Sequence, residues 1–369
     1  MRVLLLGEYS GFFTTLKDGL IECGHEVTFA AAPDSFKEIP GIDVLLESKF
    51  SFTVFRKIDL LLQFISVIFK GRGYDVVFVN NQGFFRPLIL APFLILWLYV
   101  FNKKMFLSAC GVDYPFVRFG KKGGYKWWIY DPCEECEGVE SAPFQGIGDR
   151  FITFILTKIV AGVIPTSYGY HLAWMSYCPS KTLPVIGLPA LGGEHIAGFN
   201  VAMEKGEESA PIVLFHGLNR PCHKGSRFII PALNLLQQRY PEKVRAVVVG
   251  GLPLKEYLAL LDSADIVIDQ CLGYDYQSMN TLAALQAGKV VAVAAVDESF
   301  SHIGIEDHPI VQIAPDQDLI YRKLEELIKN PVLLRELRVE SREWVDRWNN
   351  YRTIAEAYVR TFDSFLTGR

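Results

Sequence analysis

The chain has 369 residues, half of them hydrophobic, which is more apolar material than one core normally accommodates, so two domains are expected. Its net charge of −4 at pH 7 and pI of about 6.0 exclude a globally basic surface of the kind that binds nucleic acid, so any site for a polyanion has to be local. The seven cysteines, an odd number, favour a reducing compartment over a disulfide framework.

Two apolar segments bear on where the protein resides. The chain begins MRVLLLGEYSG, which lacks the cationic start and the small-residue cleavage site of a signal peptide, so a cytoplasmic protein is expected. The run PLILAPFLILWLYVF at residues 87–101 is shorter than the roughly 20 residues of a transmembrane helix and contains two prolines. We expect a buried helix packed on a sheet. The alternative is a helix that dips into a membrane surface, helped by Arg118, Lys121, Lys122 and Lys126, with peripheral attachment at the inner face of the membrane.

The first half of the chain alternates short apolar runs with helical patterns. The runs RVLLLG, HEVTFAAA, IDVLLES, YDVVFVNN, KMFLSACG, AGVIPTS and TLPVIG predict strands, and segments such as TVFRKIDLLLQFISVIFKG and DRFITFILTKIV predict the helices between them. Strands that are apolar on both faces and separated by amphipathic helices are typical of a parallel sheet. Residues 112–148 interrupt this pattern with an irregular, aromatic and charged region. One interpretation is an insertion that binds a ligand such as a sugar, on whose faces aromatic rings stack, and the other is simple packing on its own domain.

The alternation restarts after a glycine-rich and charged segment at residues 191–209, which we interpret as a linker. The strands PIVLFHG, VRAVVVGG, ADIVIDQ, KVVAVAA and PIVQIAP follow, and helices over 331–348 and 351–366 close the pattern. The predicted fold is α/β, with two doubly wound, Rossmann-like domains facing across a cleft. The N-terminal domain takes residues 1–190, the C-terminal domain takes 210–348, and residues 349–369 form a helix that packs back on the first domain.

A cationic turn follows the first strand of the second domain. The stretch FHGLNRPCHKGSRFII at residues 215–230 places Arg220, His223 and Lys224 between this strand and a helix. Backbone N–H groups, the helix dipole and two fixed charges favour an anion there, and a diphosphate fits, although a solvated turn would have the same composition. His216, at the end of the strand, could point at the same ligand.

Several ordered segments then carry a resemblance to a known family. They are HGLNRPCHKGSRFIIPALNLL, VGGLPLKEYLALLDSADIVIDQ, MNTLAALQAGKVVAVAA and the stretch that begins IVQIAPDQ. From about residue 212 onwards the chain resembles the carboxyl-terminal domain of GT-B glycosyltransferases, specifically the large retaining family that extends bacterial polysaccharides (glycosyltransferase family 4). The first domain resembles it more weakly, through MRVLLLGEYSG, YDVVFVN and LSACGVDYP.

The resemblance implies a donor site for a nucleotide-diphosphate sugar in the second domain. The basic pair that binds phosphate falls on Arg220 and Lys224, which would neutralise the leaving diphosphate, so no metal and no other cofactor is expected. A loop with two glutamates in the family falls on DYQSMNTLAALQAG, where Asp275 and Ala283 replace them. A ribose held by a carboxylate in most relatives would lack that bond here, unless another residue supplies it. The expected donor-binding residues are Gly217, Asn219, Arg220, Lys224, Gly250, Asp275, Ser278, Met279 and Asn280.

The acceptor side is expected at the carboxyl edge of the first sheet. Asp113, in CGVDYP, directly follows a strand and would serve as a base or order the acceptor, with a helix or turn cap as the alternative. Glu8, Ser10 and Gly11, in the first βα turn, would line the same edge. A catalytic Asp113 would allow inversion at the sugar carbon, whereas the resemblance implies retention.

The cysteine pair Cys133 and Cys136, in DPCEEC, is two ligands short of a zinc site, so no metal is expected there. The predicted activity is therefore transfer of a sugar to a hydroxyl of a glycan or lipid-linked glycan, in the synthesis of a bacterial surface polysaccharide such as lipopolysaccharide or capsule. Two alternatives stay open. One is a nucleotide-sugar epimerase on the same architecture, and the other is a non-catalytic sugar- or partner-binding protein on a degenerate fold, which Ala283 favours.

Overall fold

Two parallel β-sheets, each in its own unit, form the framework of the computed structural model. The structure describes residues 1–32, 41–85, 90–131, 142–192 and 210–368. Of these residues, unit 1 takes those within Met1–Gly124, Pro143–Pro189 and Tyr351–Arg369. Unit 2 takes those within Tyr125–Ala142 and Ala190–Asn350.

The sheet of unit 1 has six parallel strands in the order β3-β2-β1-β4-β5-β6. This is the strand order of the Rossmann fold, in which successive strands are added on one side of β1 and then, from β4 onwards, on its other side. The strand order therefore reverses between β1 and β4, although all six strands are parallel. The central strands are buried on both faces, as their unbroken apolar sequences predict. The bounds are β1 (Arg2–Leu6), β2 (Glu26–Ala31), β3 (Val44–Leu45), β4 (Val76–Val79), β5 (Lys104–Ala109) and β6 (Gly162–Pro165).

Helices cover both faces of this sheet. The chain-order bounds are α1 (Phe12–Glu22), α2 (Thr53–Lys70), α3 (Ala91–Phe101), α4 (Tyr114–Lys121), α5 (Ile147–Ile159) and α6 (Tyr168–Tyr177), with a 3₁₀ helix at Gln82–Phe85. On one face, α2, α3 and α5 bury apolar side chains such as Phe64, Leu94 and Leu156 against Leu4 and Val77 of the strands. Within the described residues, no helix combines the length and apolarity that crossing a bilayer requires.

Unit 2 has a five-stranded parallel sheet in the order β11-β10-β9-β7-β8. Its strands are β7 (Ile212–Gly217), β8 (Val244–Val249), β9 (Ile266–Ile268), β10 (Val290–Val293) and β11 (Val311–Gln312). Its helices are α7 (Pro221–Lys224), α8 (Ser226–Arg239), α9 (Leu254–Ser263), α10 (Met279–Gln286), α11 (Asp297–Ser301), α12 (Gln317–Lys329) and α13 (Pro331–Asn349). This order is the other common doubly wound arrangement, the one found in flavodoxin-like sheets, and its strand order reverses between β7 and β9.

The last helix, α14 (Tyr351–Leu366), completes unit 1. The ring of Phe362 lies 5.5 Å from that of Phe78 and 4.9 Å from that of Phe106, so the helix covers the second face of the sheet. It crosses α1 at Gly19, where a Cβ atom would lie 2.7 Å from the carbonyl oxygen of Tyr351. Only glycine permits so close an approach of the two helix backbones.

Two predicted elements differ from the structure. The segment TLPVIG forms a single bridge, Val163 to Thr182, rather than a strand, because Pro184 has no N–H to donate to a ladder. The region predicted to be irregular contains α4, which Asp113 caps and which carries Pro115 in its first turn. Both features are helix-start signals that the aromatic and glycine-rich surroundings obscured.

Candidate functional site

The site in unit 2 is built at the point where its strand order reverses. In doubly wound sheets, ligands bind outside the carboxyl ends of the strands at such a point. Arg220 and Lys224 follow β7, and Asp269 follows β9. Because β7 and β9 are adjacent, the two segments meet at one edge of the sheet.

Lys224 and Asp269 form a buried ion pair at this edge. Lys224 Nζ donates to Asp269 Oδ1 over 2.7 Å, and the Asp269 side chain is 1% exposed. Burial alone would raise the pKa of Asp269, but the Lys224 charge and the hydrogen bonds that the carboxylate accepts outweigh it and lower the pKa to about 2. The carboxylate is therefore ionised at neutral pH, and it balances the charge of Lys224.

Asp269 also fixes the first turn of α10. Its Oδ2 accepts from Ser278 Oγ at 2.5 Å and from Thr281 Oγ1 at 3.0 Å, and its Oδ1 accepts from Asn280 Nδ2 at 2.8 Å. Ser278 Oγ in turn accepts from the Thr281 N–H, as an N-cap does. Two of the predicted donor-binding side chains, Ser278 and Asn280, are thus bound to Asp269, while Met279 between them is half-buried.

Arg220 differs from Lys224 in having no such partner. Its side chain is exposed, and its guanidinium pairs with no carboxylate in the part of the chain that the structure describes. Its backbone is left-handed, with φ of 61°, which is uncommon for a residue with a side chain and is a conformation found at ligand-binding turns. Arg220 is therefore the cation of this turn that an incoming anion can engage without first breaking an ion pair.

Two glycines at the ends of β7 and β8 allow neighbouring side chains to lie close to the backbone. A Cβ atom on Gly217 would lie 2.5 Å from the Tyr257 hydroxyl, which donates to Asn280 Oδ1 at 2.6 Å. Gly250, after β8, is similarly close to Leu218, at 2.9 Å from its Cβ atom. These predicted donor-site glycines therefore allow side chains from α9 and the neighbouring turn to approach the backbone, and Asn219 lies half-buried in the same turn.

His216 has a structural position rather than a ligand-facing one. It is wholly buried, with Nδ1 2.7 Å from the Ile268 carbonyl oxygen and Nε2 2.8 Å from Ser226 Oγ. Burial lowers its pKa to about 4, so the ring is neutral. Since a carbonyl only accepts, Nδ1–H is the donor, and Nε2 accepts from the Ser226 hydroxyl. His216 therefore ties β7 to β9 and α8.

The two positions that depart from the family pattern lie close to α10. Asp275 is buried, and its Oδ1 accepts from the Gln277 N–H at 3.2 Å, which is the geometry of an Asx turn. Ala283 lies in the second turn of α10 and is 4% exposed. An alanine side chain cannot bond a ribose hydroxyl, and the loss of a ribose partner at this position stays a prediction.

An aromatic segment of the first half of the chain belongs to unit 2. Residues 125–131 group with this unit. The Lys126 N–H donates to the Tyr274 hydroxyl at 2.8 Å, and the Tyr130 ring lies 4.8 Å from the His223 ring. Tyr130 is thus packed directly on the cationic turn. Sequence reasoning missed this contact, and the cluster KWWIY inside the irregular region was its only signal.

In unit 1, Glu8 occupies the N-terminus of α1. Its Oε1 accepts from the Gly11 N–H at 3.0 Å, and its Oε2 accepts from the Thr14 N–H at 2.9 Å and from Thr14 Oγ1 at 3.0 Å. Burial raises the pKa of Glu8, against the lowering effect of these hydrogen bonds. Ser10 and Gly11 have positive φ, 56° and 91°, which bends the turn around the carboxylate. The helix terminus is thus filled by the chain's own carboxyl group.

Asp113 caps α4. Its Oδ1 accepts from the Phe116 N–H at 2.8 Å, and its Oδ2 accepts from Trp174 Nε1 at 2.8 Å. The side chain is 1% exposed, and burial raises its pKa to about 7 despite both hydrogen bonds. The geometry is that of the capping alternative, and a direct role on an acceptor stays a prediction.

Asn80 is a residue that sequence reasoning missed. It directly follows β4 at the reversal point of unit 1 and is 1% exposed. Neither atom of its side-chain amide has a hydrogen-bond partner within the described residues. A buried unpaired amide is costly and demands an explanation, which a ligand would supply. The signal was the pair of asparagines that ends YDVVFVNN.

The cysteine pair predicted not to bind metal, at positions 133 and 136, lies outside the described residues. Among the residues that the structure does describe, no three histidine, cysteine, aspartate or glutamate side chains group closely enough to hold a metal ion.

The two Rossmann-like units define the GT-B fold, and solved structures of that fold match over the whole chain. No protein-family model and no curated protein sequence matches. Sucrose-phosphate synthase from Thermosynechococcus elongatus is similar with a TM-score of 0.64 and 12% identity, over 100% of both chains. HepE from Anabaena, solved in complex with UDP and glucose, has a TM-score of 0.59 and 12% identity over 98% of this chain and 99% of its own. A putative UDP-N-acetylglucosamine 2-epimerase from Listeria monocytogenes has a TM-score of 0.54 and 11% identity over 100% and 97%. At these identities the likeness concerns the fold.

Proposed function

We propose that this protein is a glycosyltransferase that moves a sugar from a nucleoside-diphosphate sugar to a hydroxyl of a glycan acceptor. The observation that carries the proposal is the unpaired Arg220 beside the Lys224–Asp269 pair, at the reversal point of the sheet in unit 2. Structures of the same fold were solved with UDP and with UDP-glucose, which supports a nucleotide-sugar donor. The proposed setting is bacterial surface polysaccharide synthesis at the cytoplasmic face of the membrane.

The proposed chemistry is the loss of a diphosphate. The bond between the sugar carbon and the diphosphate oxygen breaks, and its electron pair stays on the diphosphate, whose growing charge needs cations. Arg220 supplies a guanidinium suited to two phosphate oxygens. Lys224 contributes less, because Asp269 already balances its charge. Fixed side-chain cations would then take the part that a metal ion plays elsewhere, so no cofactor is proposed.

Asp269 acts through other residues in this proposal. It orients Lys224 and the first turn of α10, where Ser278, Met279 and Asn280 are the proposed contacts for the donor. Rigid placement of the groups that receive the leaving charge avoids reorganisation during the reaction.

Retention is the stereochemical outcome that we propose. Both oxygens of Asp113 already accept hydrogen bonds from the protein, which argues against its serving as the base of an inverting reaction. In a retaining reaction, the acceptor hydroxyl attacks from the side of the leaving group and gives its proton to the departing phosphate. Glu8 then holds the turn of Ser10 and Gly11, Asp113 fixes the start of α4, and the unpaired amide of Asn80 is the proposed hydrogen-bonding group for the acceptor.

One rival activity has support from a specific observation. A putative epimerase of nucleotide sugars has the same fold, with a TM-score of 0.54. Such an enzyme would convert a nucleotide sugar in the absence of any acceptor. A non-catalytic binding protein is the other rival, favoured by Ala283, and it would bind a sugar or a partner without binding a nucleoside diphosphate.

The experiment is thermal stability of the purified chain against a panel of nucleoside diphosphates and their sugars. A ligand at a hundred times its dissociation constant stabilises by about 2.7 kcal/mol, a shift that is easily measured. The shift should appear with one nucleoside diphosphate, disappear in Arg220→Ala, and persist in the control Arg335→Ala, an exposed arginine of α13.

Activity on the donor identified in this way then separates the alternatives. Conversion of the nucleotide sugar without acceptor would favour the epimerase, and acceptor-dependent release of the nucleoside diphosphate would favour the transferase. No shift with any nucleotide would contradict both the transferase and the epimerase and would favour the non-catalytic binding protein.

A further inference from the structure

The outward side of the helical layer formed by α2, α3 and α5 is unusually apolar. All three helices pack on the same face of the sheet of unit 1, through side chains such as Ile68, Ile95 and Ile152. Side chains half a turn away on each helix therefore point to the same side of the unit. We call this outward side the α2–α3–α5 face.

On α2, this face carries Phe55, Ile58 and Leu62, all of them exposed, with Phe55 at 59%. Their spacing of three and four residues aligns them in one stripe, opposite to Phe64 and Ile68. A surface helix normally places polar residues in that stripe. Here the helix is apolar on its inner and its outer side.

On α3, the same arrangement is more complete. The helix has no charged residue between Ala91 and Phe101, and Phe93, Leu96 and Val100 are exposed opposite the core residues. An aromatic cluster links it to α2, since the Trp97 ring lies 4.3 Å from that of Phe69. The exposed stripes of α2 and α3 are therefore neighbours and not isolated apolar residues.

On α5, Ile147, Phe151 and Phe154 continue the face, and Ile147 is 90% exposed. Three adjacent helices thus expose nine large apolar side chains in one direction. Patches of this size on a soluble domain mark a surface that another molecule or a membrane covers.

The charges around this face point to the kind of partner. Arg56 and Lys57 on α2 and Arg150 and Lys158 on α5 are exposed and form no ion pair with any described residue. Lys158 lies over the ring of Phe154, at 5.3 Å. Of the two acidic residues on the three helices, Asp149 is buried, and Asp59 accepts a hydrogen bond from Gln63. The face is cationic in a chain whose net charge is −4.

We propose that the α2–α3–α5 face docks unit 1 onto an anionic phospholipid bilayer, with the phenylalanines in the acyl boundary and the four cations at the headgroups. Apolar side chains interleaved with Lys and Arg are what an interfacial membrane surface requires, because burial and attraction to anionic lipid act together. A second copy of the same face would instead bring the four cations of each chain together, which disfavours self-association. The docking does not depend on the transferase activity.

The experiment is co-sedimentation of the full chain with lipid vesicles. Vesicles of phosphatidylglycerol and phosphatidylethanolamine should bind the protein at least tenfold more tightly than vesicles of phosphatidylcholine. The variant Phe55→Ser, Phe93→Ser, Phe154→Ser, with one change per helix, should lose at least tenfold in binding. A matched control, Leu235→Ser, Val332→Ser, Val339→Ser, changes exposed apolar residues of α8 and α13 and should bind as the unchanged protein does.

A second variant tests the electrostatic part without touching the apolar side chains. Arg56→Glu, Lys57→Glu should weaken binding to the anionic vesicles about tenfold and leave thermal stability unchanged, and 0.5 M salt should reduce the difference by screening. Absence of binding to anionic vesicles, or equal binding by the triple phenylalanine variant, would overturn the proposal. A dimer in sedimentation that the triple variant dissociates, without vesicle binding, would overturn it in favour of a second copy. Nucleotide binding is measured separately, so failure here would count against the proposed membrane setting and leave the proposed transferase activity untouched.

Discussion

The buried carboxylate of Asp269 offers the most direct test of how the candidate site is held together. Asp269→Asn removes the charge while keeping the size of the side chain. In the folded protein the pKa of Asp269 is about 2, against an ordinary value of 3.8, so ionisation stabilises the fold by about 2 kcal/mol at neutral pH. The change also leaves Lys224, with a side chain only 13% exposed, without its carboxylate. We therefore expect a loss of about 3 kcal/mol, the lower end of the range for a broken buried ion pair.

Urea denaturation at pH 7 measures this loss, and an exposed pair supplies the control. Asp75 and Lys103 are also within ion-pair distance, at 2.6 Å, but the Lys103 side chain is 71% exposed. Asp75→Asn should therefore cost less than about 1 kcal/mol. The contrast isolates the effect of burial from that of charge alone.

The pH dependence gives a second, independent readout. Because the folded pKa is depressed, the stabilisation is complete above the unfolded pKa of 3.8 and disappears as the pH falls towards 2. The difference between the unchanged protein and Asp269→Asn should narrow over that interval. A cost below about 1 kcal/mol at pH 7, or a difference that is constant from pH 6 to pH 2, would refute the reasoning that this pair organises the site.

Three further changes address candidate residues in each of the two units. Tyr130→Ala removes the ring packed on His223 and should weaken the proposed binding of a nucleoside diphosphate about tenfold in calorimetry; unchanged affinity would separate this segment from the proposed donor site. Asn80→Leu removes an unpaired buried amide and should leave the protein as stable or stabilise it by about 1 kcal/mol while lowering the rate of the proposed transfer; a clear loss of stability would mean that the amide has a partner. Asp113 has its pKa raised to about 7 by burial, so its ionisation lowers stability progressively from about pH 4 to pH 7. Asp113→Asn should remove that decline, as followed by urea denaturation across this range, and a persisting decline would assign it to other groups.

Long helices with a regular apolar pattern were predictable, because the pattern that defines them lies within the segment itself. The helices over 331–348 and 351–366 were predicted almost to the residue, since an amphipathic stripe of four or five turns leaves little choice of structure. Short elements were not. The eight residues of α4 hold too few turns for a period to be visible, and TLPVIG has the composition of a strand but a proline at its centre.

The location of the cationic turn was also predictable, but its internal pairing was not. Position after a buried strand and before a helix suffices to place Arg220 and Lys224 at the carboxyl edge of a sheet. The partner of Lys224 comes from a strand 45 residues further on, and only the strand order makes them neighbours. For the same reason the sequence could not predict that Trp174, 61 residues away, donates to the second oxygen of Asp113.

The helix α14 has a consequence for the order in which the chain becomes structured. Its Phe362 and Tyr358 fill the core beside Phe78 and Phe12, yet they are synthesised after every strand of unit 2. While the ribosome is still producing unit 2, all six strands of unit 1 have been made, but the face that α14 shares with α1 is only partly covered. Exposed apolar surface of this kind is a risk for aggregation and a target for chaperones. We therefore expect unit 2 to gain protection against proteolysis on stalled nascent chains before unit 1 does, although unit 1 begins the sequence.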